Sequence, residues 1–160
     1  MNERLIMGVS TDGQLSFGVC FGGHFEFPWS TDKYDGDIDK WWQDVRGFVN
    51  PIESPFDEHG SYKPGINRDS SVISEYFAKK REWENANPIP VEVVNYCSDE
   101  CPMYMLSTKG ISNRRGYPEK VDIDFLRDTE EARQVLREFM DQYGIESDDD
   151  ACWWLSSYYG

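Results

Sequence analysis

Two apolar runs open the chain, Leu5-Ile6-Met7-Gly8-Val9 and Leu15-Ser16-Phe17-Gly18-Val19, separated by Ser10-Thr11-Asp12-Gly13-Gln14. An Asp-Gly step between apolar runs is a hairpin signal, because both residues tolerate the positive φ of a tight turn. Gly23-His24-Phe25-Glu26-Phe27-Pro28-Trp29 then alternates rings with other residues at period 2. That is the pattern of a third strand, which Pro28 ends or holds at an edge. The period changes at Ile38. Ile38, Trp41, Trp42 and Val45 fall at i, i+3, i+4 and i+7, one stripe of a helix that opens on acids and closes near Gly47. Residues 49–69 hold three Pro and two Gly without periodicity. They predict an ordered surface loop of a length that often carries function.

Ser70 to Ala86 predicts a second helix, stopped by Asn87-Pro88. Pro90 to Cys97 and Pro102 to Ser107 predict two strands joined by Ser98-Asp99-Glu100-Cys101. A basic turn at Asn113-Arg114-Arg115-Gly116 precedes a short expected strand, Lys120 to Phe125. The next helix has Asp128 as N-cap with Glu131 at capping-box spacing, and Ala132, Val135, Leu136, Phe139 and Tyr143 as its apolar stripe. Gly144 supplies its left-handed end. The ring-dense close, Ala151 to Gly160, predicts a docked strand rather than a frayed tail. The expectation is one α+β domain over 1–160. It has a mostly antiparallel sheet (N-terminal hairpin, central hairpin, C-terminal aromatic strand) and about three packed helices.

Composition sharpens this in two ways. Leu, Ile, Val and Phe number 34 of 160, near the level where charged chains fail to fold, but six Trp, nine Tyr and nine Phe supply a core built on rings. Net charge is −14, spread as −4, −5 and −5 over residues 1–50, 51–100 and 101–160. An acidic envelope repels nucleic-acid phosphates and anionic membranes and attracts basic protein surfaces. No window is long and apolar enough to cross a bilayer, and Met1-Asn2-Glu3-Arg4 does not read as a signal peptide. Four scattered Cys make no disulfide framework, so reduced thiols in a cytoplasm are expected.

Candidate chemistry is thin. Cys20, His24, Cys97 and Cys101 would make a Cys3His zinc site if brought together. Their spacing is looser than a zinc knuckle, and a buried inert thiol is the ordinary outcome for Cys20. No metal and no cofactor are therefore expected. Cys20 with His24 or His59 would suit a nucleophile and base, but nothing in the spacing supplies an orienting third group. Asp35, Asp37 and Asp39 alternate as in a calcium loop, yet Lys40 stands where its Gly belongs and Arg46 where its Glu belongs. Acids at a helix start need no metal. Arg114 and Arg115, with His24, are the candidate ligand contacts for an anion or nucleotide. Asp35, Asp37, Asp39 and Asp44, with Asp148, Asp149 and Asp150, form the densest acid patches and the candidate interaction surface.

Three stretches together, Met7 to His24, Cys101 to Leu106 and Trp153 to Gly160, resemble small accessory proteins of tailed phages. The resemblance implies a host-cell cytoplasm and raises the expectation of an inhibitor. It carries over no catalytic residue. The first expectation is thus a protein, more a binder than an enzyme, that inhibits a host defence or nucleic-acid-handling protein with a basic surface, in one form by acidic DNA mimicry. It has no direct nucleic-acid or membrane binding. A small-ligand or signalling-nucleotide sponge using Arg114 or Arg115 is the alternative, and a small hydrolase using Cys20, His24 or His59 the second.

Overall fold

The structure, a computed structural model, describes residues 11–23, 25–57, 59–98 and 100–159. The chain divides into two compact units. The first joins residues 1–30 to 90–160, and the second is Thr31–Ile89.

The first unit is a four-stranded sheet carrying two helices. Strands β1 (Thr11–Gly22), β2 (Glu92–Ser98), β3 (Pro102–Asn113) and β4 (Cys152–Tyr159) lie in the order β1-β3-β2-β4, and β4 returns to β1. Three of the four seams are antiparallel. The closing one, β2 with β4, is parallel and short, pairing Cys97 with Tyr158 and Ser98 with Tyr159. The architecture is α+β, as expected, with a sheet that is mixed rather than purely antiparallel.

β1 is the spine. It pairs β3 from Gly13↔Asn113 onward and β4 from Thr11↔Tyr159 to Gly18↔Cys152. A bulge interrupts the β1–β3 register between Phe17 and Gly18, bringing the two backbones together there. A Cβ on Gly18 would sit 2.0 Å from the Leu106 carbonyl oxygen, so this position accepts only glycine without movement. Helix α4, Glu130–Tyr143, buries Leu136 and Phe139. It is tied to the sheet where Thr108 Oγ1 donates to Ala132 O at 2.9 Å and Arg133 Nη1 to Ala151 O at 2.8 Å. Trp153 meets Phe17 edge-on and donates to Leu126 O of the short helix α3, Ile123–Arg127.

Four local expectations are corrected. Asp12-Gly13 is not a turn but the interior of β1, held by partners on both sides. The partner run Leu5–Val9 lies outside the described residues. Residues 25–29 form no strand. Phe27 to Ser30 is a tight turn with Pro28 at its second position, and Phe21, Phe25, Phe27 and Trp29 pack on one another instead. Residues 120–125 are not a strand either, because the Asp122 carboxylate accepts from Asp124 N and starts α3. Finally, Asp128 ends α3 and Thr129 precedes α4 without a side-chain cap. Gly144 does end α4 in the left-handed region, at φ 66.

The second unit holds α1 (Ile38–Val45) and α2 (Ser71–Ala86), as the spacing predicts. Trp41, Trp42, Pro55 and Ile73 are its buried apolar side chains. Trp42 Nε1 donates to Asn87 O at 2.8 Å, and Phe48 packs on Trp83 at 4.7 Å between ring centroids. The loop over 49–69 is ordered by a bridge between Phe56 and Tyr62 and by an Asp57 carboxylate that accepts from His59 N and Ser61 N.

Candidate protein-binding cleft

The first unit carries a cleft of about 970 Å³ between β1, the following loop, α4 and the segment 145–151. Its floor is apolar: Val19 and Phe21 from β1, Phe25 from the loop, Leu136 and Met140 from α4, and Ile145. The helix period and a break in the strand register explain the selection. Leu136 and Met140 are four apart on one face of α4, and the register break between Cys20 and Gly22 lets the consecutive residues Val19, Cys20 and Phe21 all line the cleft.

The rim is acidic. Asp141 closes the last turn of α4, and Glu146, Asp148, Asp149 and Asp150 follow on the segment that leads into β4. All five are exposed, and none makes an ion pair with a described residue. Arg133 and Arg137 face them from α4. Arg133 is engaged, lying 5.2 Å from the Phe17 ring centroid and bonded to Ala151 O. Five carboxylates against two guanidinium groups leave the cleft at −3.

Cys20 also lines the cleft, with its Sγ 2.7 Å from the Tyr96 hydroxyl. Burial first, then the hydrogen bond to Cys20, pushes the Tyr96 phenol well above its ordinary value. It stays protonated at neutral pH, so it does not serve as a base that would activate the thiol. His59 belongs to the other unit, in the Asp57 turn. All four cysteines are free, and among the described residues no three His, Cys, Asp or Glu side chains converge on a metal-sized space. His24, a candidate in both the zinc and the ligand readings, lies outside the described residues.

The acid patches expected from sequence behave differently. Asp148, Asp149 and Asp150 frame the cleft. Asp37 is the N-cap of α1 and accepts from Lys40 N, while Asp44 takes both Lys33 Nζ and the Tyr34 hydroxyl at 2.6 Å. Asp39 lines a separate small pocket, and Asp35 occupies an exposed turn at φ 53. Arg114 and Arg115 sit in the exposed turn after β3, where Arg115 has a partner of its own, and neither lines the cleft. Sequence reasoning missed Arg133, Arg137, Met140 and Asp141. Their signal was a second stripe on α4 at spacings of three and four, beside the core stripe.

No protein-family model, curated protein or solved structure matches this chain. Among the described residues, no helix is long and apolar enough to cross a membrane.

Proposed function

We propose that this chain is a binding protein that captures a basic, amphipathic segment of a partner protein in the cleft of its first unit and inhibits that partner. The carrying observation is an apolar floor rimmed by five carboxylates, none in an ion pair with a described side chain, against two guanidinium groups. Apolar side chains of the partner fill the floor, and flanking Lys or Arg residues meet the rim. The floor governs the off-rate through desolvated contacts, and the rim steers encounter. The same rim opposes a nucleotide, whose phosphates would face a net −3. The resemblance to phage accessory proteins supports a host protein as the partner and a host cytoplasm as the setting. A partner whose basic face contacts nucleic acid fits best, because the acidic rim then competes with phosphate.

The test uses two fluorescent peptides with one leucine-rich helical face, one flanked by Lys and Arg, the other by Glu. The full chain binds the basic peptide and ignores the acidic one. Its on-rate falls as the Debye length shrinks from about 10 Å at 0.1 M to about 3 Å at 1 M salt. Asp148→Asn, Asp149→Asn and Asp150→Asn together slow association without changing the melting temperature. Equal binding of both peptides, or an unchanged on-rate in the triple variant, overturns the proposal. Once a natural partner is in hand, undiminished binding of that partner to duplex DNA in the complex removes the DNA-mimic form alone.

A further inference from the structure

The second unit contains a pocket that the cleft does not explain. It is about 210 Å³, below the roughly 300–1,000 Å³ of sites that hold drug-sized ligands, so it suits one side-chain head group. Trp42 and Trp83 line it, with Asp39, Glu84, Gln43, Asn87 and Ile89. Each wall is set by its helix. Asp39, Trp42 and Gln43 lie three to four apart on α1, and Trp83, Glu84 and Asn87 do the same at the end of α2.

The polar groups are fixed or available in a telling order. Trp42 Nε1 is already spent on Asn87 O and its ring is buried with Arg46 over it, so Trp42 forms the inner wall and the half-buried Trp83 offers the more open ring surface. Glu84 is positioned by Gln43 Nε2 at 3.3 Å, with Lys80 at 3.7 Å beyond it. Asp39 is exposed and makes no ion pair or hydrogen bond with a described residue. Two indoles and two carboxylates around a small space attract an organic cation, by ring quadrupole and by charge. The unit already shows the preference: Arg46 lies over Trp42, its Cζ 5.3 Å from the ring centroid.

We infer that the Trp42–Trp83 pocket is a guanidinium site that receives an arginine side chain from a partner protein. The flat guanidinium stacks on an indole and presents paired N–H donors to a carboxylate, which a compact ammonium does not do. The site is independent of the cleft, being built within Thr31–Ile89.

The probe is N-acetyl-arginine methylamide, titrated into the intact chain with indole N–H signals followed by NMR. The indole signals of Trp42 and Trp83 shift saturably. The citrulline analogue, of the same shape without the charge, leaves them in place. Asp39→Asn weakens binding about five-fold, the scale of one partly exposed charge-assisted contact. Trp83→Phe, which keeps a ring but reduces the stacking face, weakens it without unfolding the unit. Asp148→Asn, Asp149→Asn and Asp150→Asn together leave it unchanged. Equal shifts from citrulline, tighter binding of a trimethyl-lysine amide, or loss of the shifts in the triple variant would each overturn the assignment. The last result would move arginine to the cleft and leave the cleft reading intact.

Discussion

The two units balance charge and burial in opposite ways. The sheet unit has 18 acids against 8 bases, a net of −10, and the helical unit has 12 against 8, a net of −4. Phe17, Val19, Phe27, Trp29, Val91, Val94, Met105, Leu106, Leu136, Phe139 and Ile145 are buried in the first, whereas Trp41, Trp42, Pro55 and Ile73 are buried in the second. The helical unit pairs its charges: Lys33–Asp44, Lys40–Asp37, Lys63–Glu53, Lys79–Glu82 and Lys80–Glu84. In the sheet unit Arg127 and Asp124 stand 3.8 Å apart, and the cleft acids are left open. A well-buried core tolerates an unbalanced rim, so the unit with the larger core leaves its cleft acids unpaired. The unit with the smaller core spends charge on itself.

The largest effect should come from breaking closure of the sheet. A chain ending at residue 151 loses β4, and with it every β1–β4 pair and the bonds from Trp153 to Leu126 O and from Trp154 to Gly18 O. Trp153 and Trp154 are half-buried and Leu155 is exposed, so each contributes less than the roughly 1.5–3 kcal/mol of a fully buried side chain, and the larger loss is the whole β1–β4 ladder together with the cover over buried Phe17. Calorimetry should show the sheet unit's transition abolished. An unchanged transition would mean that β1, β2 and β3 hold this unit without closure. Gly18→Ala should come next. Its methyl meets a backbone oxygen, which cannot rotate away, so the loss should reach at least the 1–3 kcal/mol typical of overpacking. Chemical denaturation of Gly18→Ala beside Gly13→Ala, where a Cβ meets nothing within 4 Å, isolates the close approach from the general cost of replacing glycine.

Much of the helical framework was legible in the sequence. The stripe from Ile38 to Val45 and the run from Ser70 to Ala86 end where their spacing says they should. The central hairpin and the docked C-terminal strand were legible too, although β3 runs on past the expected Ser107 to Asn113, where β1 pairs with it. The failures share a cause, because each was a local signal overruled by a distant partner or a nearer competitor. Asp12-Gly13 favours a turn in isolation, yet Ser157 and Asn113 pair with Gly13 from far along the chain. The rings at Phe25 and Phe27 alternate like a strand, yet they satisfy one another and Phe21 by direct packing. Of the cleft, Asp148 to Asp150 stood out as charge. Its floor did not, since Val19, Phe25, Leu136 and Ile145 come from four segments whose meeting depends on the register of β1 and the docking of α4.

A middle-sized effect belongs to the sheet unit at high pH. The Tyr96 phenol titrates above its ordinary value of 10.0 in the folded chain, chiefly through burial and then through Cys20. Its contribution is complete below the unfolded pKa. It is lost as pH rises from there through the folded pKa, because the unfolded chain releases the proton first. Stability should therefore decline on the alkaline side of about pH 10. Tyr96→Phe should flatten that decline while costing the contact with Cys20 at neutral pH. Melting temperatures across the alkaline range check this. An equal decline in the variant would assign the alkaline limb to other groups.

The smallest effect should come from the ion pairs of the helical unit, and its pH dependence runs the other way at the acid end. Hydrogen bonding to Lys33, then to Tyr34, lowers the Asp44 carboxyl, and hydrogen bonding to Asp44 raises Lys33. Glu53 is lowered by Lys63 and Glu82 by Lys79, while Lys79 is raised by Glu82. Carboxylates with depressed pKa values stabilise above the unfolded value and lose that contribution as pH falls through the folded one. The raised lysines contribute fully below their unfolded value and lose it as pH rises through the folded one. The pairs should thus add a constant, small increment between the carboxylate and lysine ranges. Being exposed, they are screened by salt. Lys33→Met should lower the melting temperature far less than Gly18→Ala. The difference from the natural chain should vanish both at high salt and at a pH below the carboxylate range. A loss as large as that of Gly18→Ala, surviving high salt, would show that the Lys33–Asp44–Tyr34 cluster orders the start of the helical unit by packing, and the contrast between a core-held and a charge-held unit would fail.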